Sequence, residues 1–418
     1  MKNKIKNSCI NEFDSSAISI ENAKTRILKT IKSSTKIENI KLKNSLGRII
    51  SKDIKSNINI PSFKNSAMDG YALNISHLSD KTNMSLKEVG ISYAGKPYHN
   101  NLKKGETVKV MTGAVIPNNS NAIVMKEMIK IIDGNIQFPK NIKKNQNIRF
   151  IGEDVKKSSI ILKKGKRISY IDLGILSSAG IEYVDVIKKP TISFFSTGDE
   201  LISIKKKLKK GQIYDSNRYL LYGLLSELPV SVKDMGVVKD NKNDITKKFI
   251  QCSKISDLII TTGGVSVGDA DYVREVLDKI GKINFWKISI KPGRPLAYGK
   301  IKKTSFFGLP GNPVSTVITF QLFVIPAIEK MISSDIKNKL FINAITKTSL
   351  SKKKGRVEYK RAFLTQIKNK FFVATTGLQG SNILTSLAKA NCYIKLSVNT
   401  NKVKKGDIVK VLPFTNDL

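Results

Sequence analysis

From residue 190 onward the apolar positions alternate between a strand period and a helix period. Residues 192–196 predict a short buried strand ending in Thr197-Gly-Asp-Glu200. Asp215 then caps a helix with the stripe Leu220, Leu221, Leu224 and Leu225, and residues 230–238 form a strand ending at Lys239-Asp240. A helix around 245–250 follows, then the run 257–262, whose apolar and β-branched residues suit a strand buried on both faces and stop at Gly263-Gly264. After Asp269-Ala-Asp271, the residues Val273, Val276, Leu277 and Ile280 fall at i, i+3, i+4 and i+7, a helix that Gly281 is placed to end. Residues 283–290 predict a further strand, on which Lys287, Ser289 and Lys291 share a face opposite Trp286, Ile288 and Ile290, and after the basic turn Lys291-Pro-Gly-Arg-Pro295 one more strand leads to the second glycine turn. Gly308-Leu-Pro-Gly-Asn-Pro-Val-Ser315 makes a rigid turn, with Asn312 as N-cap and Pro313 first in an apolar helix over 314–331. Such alternation implies a doubly wound parallel sheet with helices on both faces, whose ligand crevice lies beyond the carboxyl ends of its strands. Residues 197–200, Asp240, 263–271 and 291–294 all fall at such ends.

The flanking segments read differently. Ile20, Ala23, Ile27 and Ile31 recur at helical spacing behind Ser19, an N-cap followed by Glu21 in the first turn. Residues 42–50 carry a second short pattern, and 51–60 alternate like an extended segment. Residues 73–140 predict an all-β insertion, with 108–112 and 122–125 strand-like between turns at Lys104-Gly105 and 117–120. Ser169 with Asp172 makes a loose version of a capping box, with Asp in place of Glu or Gln, for a helix ending at Gly180. Beyond residue 335 the helical pattern stops, and 357–366, 371–375, 393–397 and 407–412 suggest a small barrel or sandwich. Lys-Lys-Gly recurs at 103, 163, 209, 353 and 404, but the surrounding sequence does not match, so these are similar turns and not repeated domains.

Composition narrows the chemistry. A chain of 418 residues suggests roughly two to four domains. No apolar stretch follows the polar first residues, and 314–328 is interrupted by polar residues and Pro326, so neither a signal peptide nor a membrane span is expected. Cys9, Cys252 and Cys392 form no pair or metal-ligand spacing, which points to a reducing cytoplasm. With only His77 and His99, histidine triads and multi-histidine metal sites are excluded, leaving carboxylates, lysines, hydroxyls and backbone. The net charge of +40 invites a nucleic-acid reading. Only nine of the 73 basic residues are arginine, however, and the lysines are scattered, so no nucleic-acid partner is expected.

The stretch from the glycine loop at Gly263 to Ser315 resembles the MoeA and gephyrin E-domain family, the molybdenum insertases of molybdenum-cofactor biosynthesis. Glycine loop, acidic helix start, Phe-Trp-Lys strand, Lys-Pro-Gly turn and Gly-Leu-Pro-Gly-Asn-Pro-Val-Ser turn occur in the family's order. Ser-Ala-Met-Asp-Gly-Tyr-Ala around Asp69, Met-Thr-Gly-Ala around Thr112 and Arg-x-x-Gly-Glu-Asp over 149–154 extend the likeness over nearly the whole chain. Taken alone, Asp69 reads as a surface Asp-Gly turn, Thr112 as a strand end and Arg361 as an exposed or cross-strand ion-paired side chain.

The resemblance implies four parts: an elongated N-terminal domain from 1–60 and 148–188, a β insertion domain over 61–147, a molybdopterin-binding α/β domain over 189–335 and a C-terminal β-barrel domain over 336–418. It also implies the reaction of adenylated molybdopterin with molybdate to give molybdenum cofactor and AMP, in a homodimer whose cleft takes Asp69 and Thr112 from the second subunit. The molybdopterin adenylyltransferase is a possible partner, and adenylyl transfer or a gephyrin-like scaffold role are the rival readings.

The carried-over catalytic set is Asp69, Thr112, Asp154, Glu200, Asp240, Asp271, Lys287 and Lys291. Gly263, Gly264, Ser266, Gly268, Arg294, Pro310, Ser315, Arg361 and Ser381 are the expected substrate-binding positions. Molybdate, a dianion with four acceptor oxygens, suits Lys291, Arg294, Arg361 and the Ser315 hydroxyl. Asp69, Asp154, Glu200, Asp240 and Asp271 repel a pyrophosphate unless a divalent cation intervenes, so Mg²⁺ held by one or more of them is expected, with Glu200, Asp240 and Asp271 as the candidate ligands. Where relatives often show Lys-Pro-Gly-Lys, this chain has Arg294, which keeps the charge but changes the donor geometry.

Overall fold

The computed structural model describes residues 16–78, 84–263, 272–332 and 339–414, without the side chain of Phe285. The chain forms two compact units, one from Met1–Glu38, Gly47–Ile49 and Ile187–Leu418, the other from Asn39–Leu46 and Ile50–Val186. Helix α1 (Ile20–Thr30) belongs to the first unit, with the Ser19 hydroxyl accepting from Asn22 N–H at 3.1 Å as its cap.

The second unit is built on a six-stranded sheet. Its strands are β1 (Gly70–Leu73), β2 (Ser85–Ser92), β3 (Glu106–Val110), β4 (Ala122–Met125), β5 (Lys130–Ile132) and β6 (Asn135–Gln137), in the spatial order β4-β1-β3-β2-β6-β5. Two short pairings bring distant segments together: Asn65–Ser66 with Ile148–Arg149, and Ile54–Lys55 with Ile160–Leu162. Helix α2 (Tyr170–Ser178) starts with a full capping box, in which Ser169 accepts from Asp172 N–H and Asp172 accepts from Ser169 N–H. Gly180 follows it with φ +72°.

The first unit contains the α/β sheet. In chain order its elements are β7 (Thr191–Thr197), α3 (Ser216–Ser226), β8 (Ser231–Val238), α4 (Lys242–Ile255), β9 (Leu258–Thr262), α5 (Tyr272–Ile280) and β10 (Gly281–Lys287). After these come β11 (Ile290–Lys291), β12 (Pro295–Ile301), β13 (Thr304–Leu309), α6 (Pro313–Thr319) and α7 (Ile325–Met331). The sheet order is β8-β7-β9-β13-β12-β10, parallel across its first four strands and antiparallel across the last two pairings. β9 and β13 are buried along their whole length because helices cover both faces. On one face α1, α3, α6 and α7 pack against Phe194, Ile260 and Phe307; on the other α4 and α5 pack around the edge-to-face rings of Phe195, Phe249 and Phe306.

Several expectations change here. The sheet is mixed, because β12 and β13 form an antiparallel hairpin where the pattern suggested one strand. Gly281 does not end α5 in a left-handed cap; it opens β10, where a Cβ would sit 2.8 Å from Lys300 O. The apolar helix over 314–331 is interrupted by a π-helical turn at Phe320–Val324, ahead of Pro326, which has no N–H to continue the ladder. Asn312 occupies the N-cap without a side-chain cap bond. By length and composition Pro313–Met331 is apolar enough to cross a membrane, but 78% of it is buried inside the unit.

The remaining strands close into a barrel. β14 (Ile342–Thr346), β15 (Val357–Ile367), β16 (Lys370–Thr375), β17 (Cys392–Leu396) and β18 (Ile408–Pro413) pair as β15-β16-β14-β18-β17, and β17 returns to β15. Helical pattern does not stop at 335 as expected, since a short helix α8 (Leu384–Ala388) lies between β16 and β17.

The capping box of α2 generates a pH-dependent prediction. Burial pushes the Asp172 carboxyl up, but Lys166 and the Ser169 N–H and hydroxyl outweigh it and hold the group below the usual range. Asp172→Ala is expected to cost about 2 kcal/mol in denaturant unfolding near neutral pH. Because the folded value is depressed, this contribution is complete above the unfolded value of about 4 and fades as pH falls through the folded one. The gap between wild type and variant should therefore narrow in acid.

Candidate active site

The carboxyl ends of the parallel strands collect the first group of site residues. β7 ends at Thr197 and leads into Gly198, Asp199 and Glu200; β8 ends two residues before Asp240; β9 ends at Thr262 beside Gly263. Gly263 has φ +84°, and a Cβ there would meet Thr197 O at 2.8 Å, so the two strand ends approach closely only with glycine. Asp240 N–H donates to Asp199 Oδ1 at 3.1 Å. Burial, then the charges of Asp199 and Glu200, push the Asp240 carboxyl above the usual aspartate value. Clustered like charges of this kind favour a cation.

A cavity of about 690 Å³ opens in this unit between the α/β layer and the barrel. Its α/β wall is the turn from β13 into α6, with Pro310, Gly311 and, one turn into the helix, Ser315. Three bonds fix that turn: Asn217 Nδ2 of α3 donates to Gly311 O at 2.6 Å, Thr316 Oγ1 to Pro310 O at 2.7 Å, and Val314 N–H to Ser381 O at 3.1 Å. The last bond ties the loop after β16 to the helix start.

The barrel wall is built on β15. β11 pairs with it in parallel, setting Lys291 opposite Glu358. Glu358 Oε1 lies 2.9 Å from Lys360 Nζ and 3.6 Å from Lys291 Nζ. Arg361, 1% exposed, donates from Nε to Ser386 Oγ at 3.1 Å and from Nη2 to Leu378 O and Gly380 O at 3.1 and 2.9 Å. Its backbone exchanges bonds with the Gln379 amide, donating to Oε1 and accepting from Nε2. The guanidinium therefore shapes the 378–381 loop while it lines the cavity. Burial draws its pKa below the usual arginine value, and the charges of Tyr393 and Glu358 act the other way.

Glu200, Gly263, Lys291, Pro310, Ser315, Arg361 and Ser381 thus meet around one cavity. Asp240 stands next to Glu200 electrostatically but does not line it, and neither does Arg294. Gly264, Ser266, Gly268 and Asp271 lie outside the described residues. The shared face of Lys287 and Lys291 does not form. β10 ends at Lys287 in the α/β sheet, Ile288 N–H bonds back to Arg294 O, and Lys291 belongs to β11 on the barrel, so the two lysines sit in different sheets.

In the second unit, Asp69 and Thr112 meet directly. The backbone N–H and the hydroxyl of Thr112 both donate to Asp69 Oδ1 at 2.8 Å, and Lys126 Nζ lies 3.7 Å from Oδ2. The Thr112 N–H, then its hydroxyl, hold the Asp69 carboxyl below the usual range, although its side chain is 42% exposed. Asp154 is exposed, and its N–H donates to Ile60 O at 3.0 Å.

Glu358, Gln379 and Asn217 escaped the sequence reading. Asn217 follows the helix cap Asp215 by two residues and carries no local signal beyond that. In the run Val-Glu-Tyr-Lys-Arg over 357–361, nothing local distinguishes Glu358 from a solvated strand carboxylate; only its pairing with β11 buries it against two lysines.

Three family descriptions match the chain: "MoeA N-terminal region (domain I and II)" over residues 18–180, "Probable molybdopterin binding domain" over 193–330 and "MoeA C-terminal region (domain IV)" over 343–414. A molybdopterin molybdenumtransferase of Haemophilus influenzae is 40% identical over 402 residues, covering 96% of this chain and 99% of the relative. Gephyrin of Dictyostelium discoideum is 33% identical over 90% of this chain, which spans 59% of that longer protein. The crystal structure of a molybdopterin biosynthesis moeA protein from Pyrococcus horikoshii superposes with a TM-score of 0.82 at 28% identity, covering 95% of this chain and all of that one. Matched along almost its entire length in sequence and in fold, the chain belongs to the MoeA family.

Proposed function

We propose that the protein is a molybdopterin molybdenumtransferase, which takes molybdenum from molybdate into adenylated molybdopterin with release of AMP. The observation that carries this reading is the cavity where Lys291, Arg361, Ser315 and Ser381 face the glycine at the end of β9 and the carboxylate of Glu200. Cations and hydroxyls bind the tetrahedral oxyanion, and Gly263 lines the same cavity without a side chain that would keep a phosphate group away. Arg361 acts on the oxyanion and, through Leu378 O and Gly380 O, keeps the loop bearing Ser381 in place.

The carboxylates fit a divalent cation in charge, since Asp199 and Glu200 raise the Asp240 pKa. Among the described residues no three side chains form a ready-made ligand group. That suits Mg²⁺, which is held by one or two carboxylates with waters and substrate phosphates. Glu200 and Asp240, with Asp271, are the assigned holders, and the bound ion would neutralise phosphate charge during AMP release. Asp69 and Thr112, fixed to one another, are assigned to the cleft of the second subunit in a homodimer. The enzyme is placed in the cytoplasm, in keeping with free buried Cys252 and Cys392.

Three outcomes are expected. Lys291→Ala removes a cation that is 51% exposed and shared with Glu358, so the molybdate requirement for AMP release should rise about tenfold, the low end for a charge-assisted contact, with pterin binding retained. If both depend equally on Lys291, its assignment to the oxyanion is wrong. Asp240→Asn removes a repelled carboxylate whose folded pKa is raised, a penalty that grows as pH climbs above the unfolded value of about 4. The variant should melt above wild type at neutral pH without metal, yet gain less from added Mg²⁺ in thermal shift. For the shared cleft, mixing inactive Asp69→Ala and Asp240→Ala chains should restore part of the activity; verified mixed dimers with none would place the site within one chain.

A further inference from the structure

An oxyanion pocket gains nothing obvious from a carboxylate, because a negative charge repels the ligand. Two line this one among the described residues, Glu200 and Glu358. Glu200 stands at a strand end with the other acids. Glu358 is different: it is buried on β15, 6% exposed, and its Oε1 faces both Lys360, 13% exposed, and Lys291. Burying a carboxylate costs desolvation, which two ammonium partners offset. The same contacts change what the pocket presents to a ligand. Lys291 and Arg361 line the cavity beside Glu358, and Lys360 stands behind Glu358 without lining it, so the carboxylate lowers the positive charge that this wall presents.

The geometry points to Glu358 as a specificity-determining residue: its carboxylate lowers the positive charge that Lys291, Lys360 and Arg361 set on this wall, so that phosphate chains of higher charge are favoured less over a dianionic tetrahedral oxyanion. The inference rests on the reading of Lys291 and Arg361 as oxyanion ligands. A carboxylate that only propped up Lys291 would act through shape, and its loss could not be repaired by removing a charge elsewhere. A charge-trimming carboxylate predicts that repair, because affinity follows the sum of the charges and not the identity of any one group.

The test is isothermal titration of the full-length protein with molybdate and with inorganic pyrophosphate, for wild type, Glu358→Gln, Lys360→Met and the double variant. Glu358→Gln should bind molybdate roughly five- to tenfold more tightly, the size Coulomb's law gives one charge acting on a dianion across a wet pocket, and pyrophosphate by a larger factor. Lys360→Met should do the reverse, and the double variant should return near wild type for both ligands. Weaker or unchanged binding in Glu358→Gln, or a double variant that does not return, overturns the inference. If Glu358→Gln alone fails to fold by thermal melt, Lys360→Met and the double variant still decide it, through the ratio of the two affinities. Lys291→Ala in the same titration separates the two levels. If it leaves molybdate binding unchanged, the oxyanion reading itself falls; if it weakens molybdate but the charge series shows no pattern, only the role of Glu358 falls.

Discussion

Between Lys287 and Ile290 the backbone leaves the edge of the α/β sheet and joins the edge of the barrel, and the cavity depends on that transfer. β10 pairs with β12, β11 pairs with β15, and Ile288 turns between them with its N–H on Arg294 O. The short pairing of β11 sets Lys291 opposite Glu358 and holds the Lys291-Pro292-Gly293 turn against α6, where Gly293 has φ +100° and a Cβ would lie 2.7 Å from Thr319 Cγ2. The loop after β16 makes a second tie, through Val314 N–H to Ser381 O. Backbone hydrogen bonds are short-ranged and directional, so two such ties fix the walls of the cavity more closely than side-chain packing alone.

The polar interior of this site is organised by a few buried charges. Arg361 gives two side-chain hydrogen bonds to the loop it faces and one to Ser386 of α8, which satisfies a buried guanidinium and makes the loop depend on it. Glu358 is satisfied by two lysines. Asp240 is the opposite case, since burial and then the neighbouring charges of Asp199 and Glu200 raise its proton affinity. One wall of the cavity thus carries Lys291 and Arg361 with Glu358, and the other carries Glu200 beside Asp240.

Much of the chain was legible because its signals are local. The caps at Ser19, Asp215 and Ser169, the buried runs of β7 and β9, and the stripe of α5 all follow from spacing within a dozen residues, and each stands where the pattern put it. Local motifs also singled out Asp69, Thr112, Lys291, Ser315, Arg361 and Ser381. What failed were arguments that carried a local period across a break. Alternation along 283–290 assumed one strand, and it placed Lys287 and Lys291 together, whereas the chain changes sheets between them. Gly281 does stand where α5 stops, but as the first residue of β10, close to Lys300 O, and not as a left-handed cap.

The sequence by itself determined the element types, the caps, the order of the strand ends and the family signatures, because propensity, capping and periodicity act between near neighbours. Only the tertiary structure decided which side chains share a cavity. The pairing of β11 with β15 buried Glu358 between Lys291 and Lys360, and the fold of the 378–381 loop converted Arg361 from an apparent surface cation into the group that holds Ser381 in place. The first outcome depends on a contact 67 positions apart and the second on contacts 17 and 19 positions apart, and no periodicity within any of these segments records them.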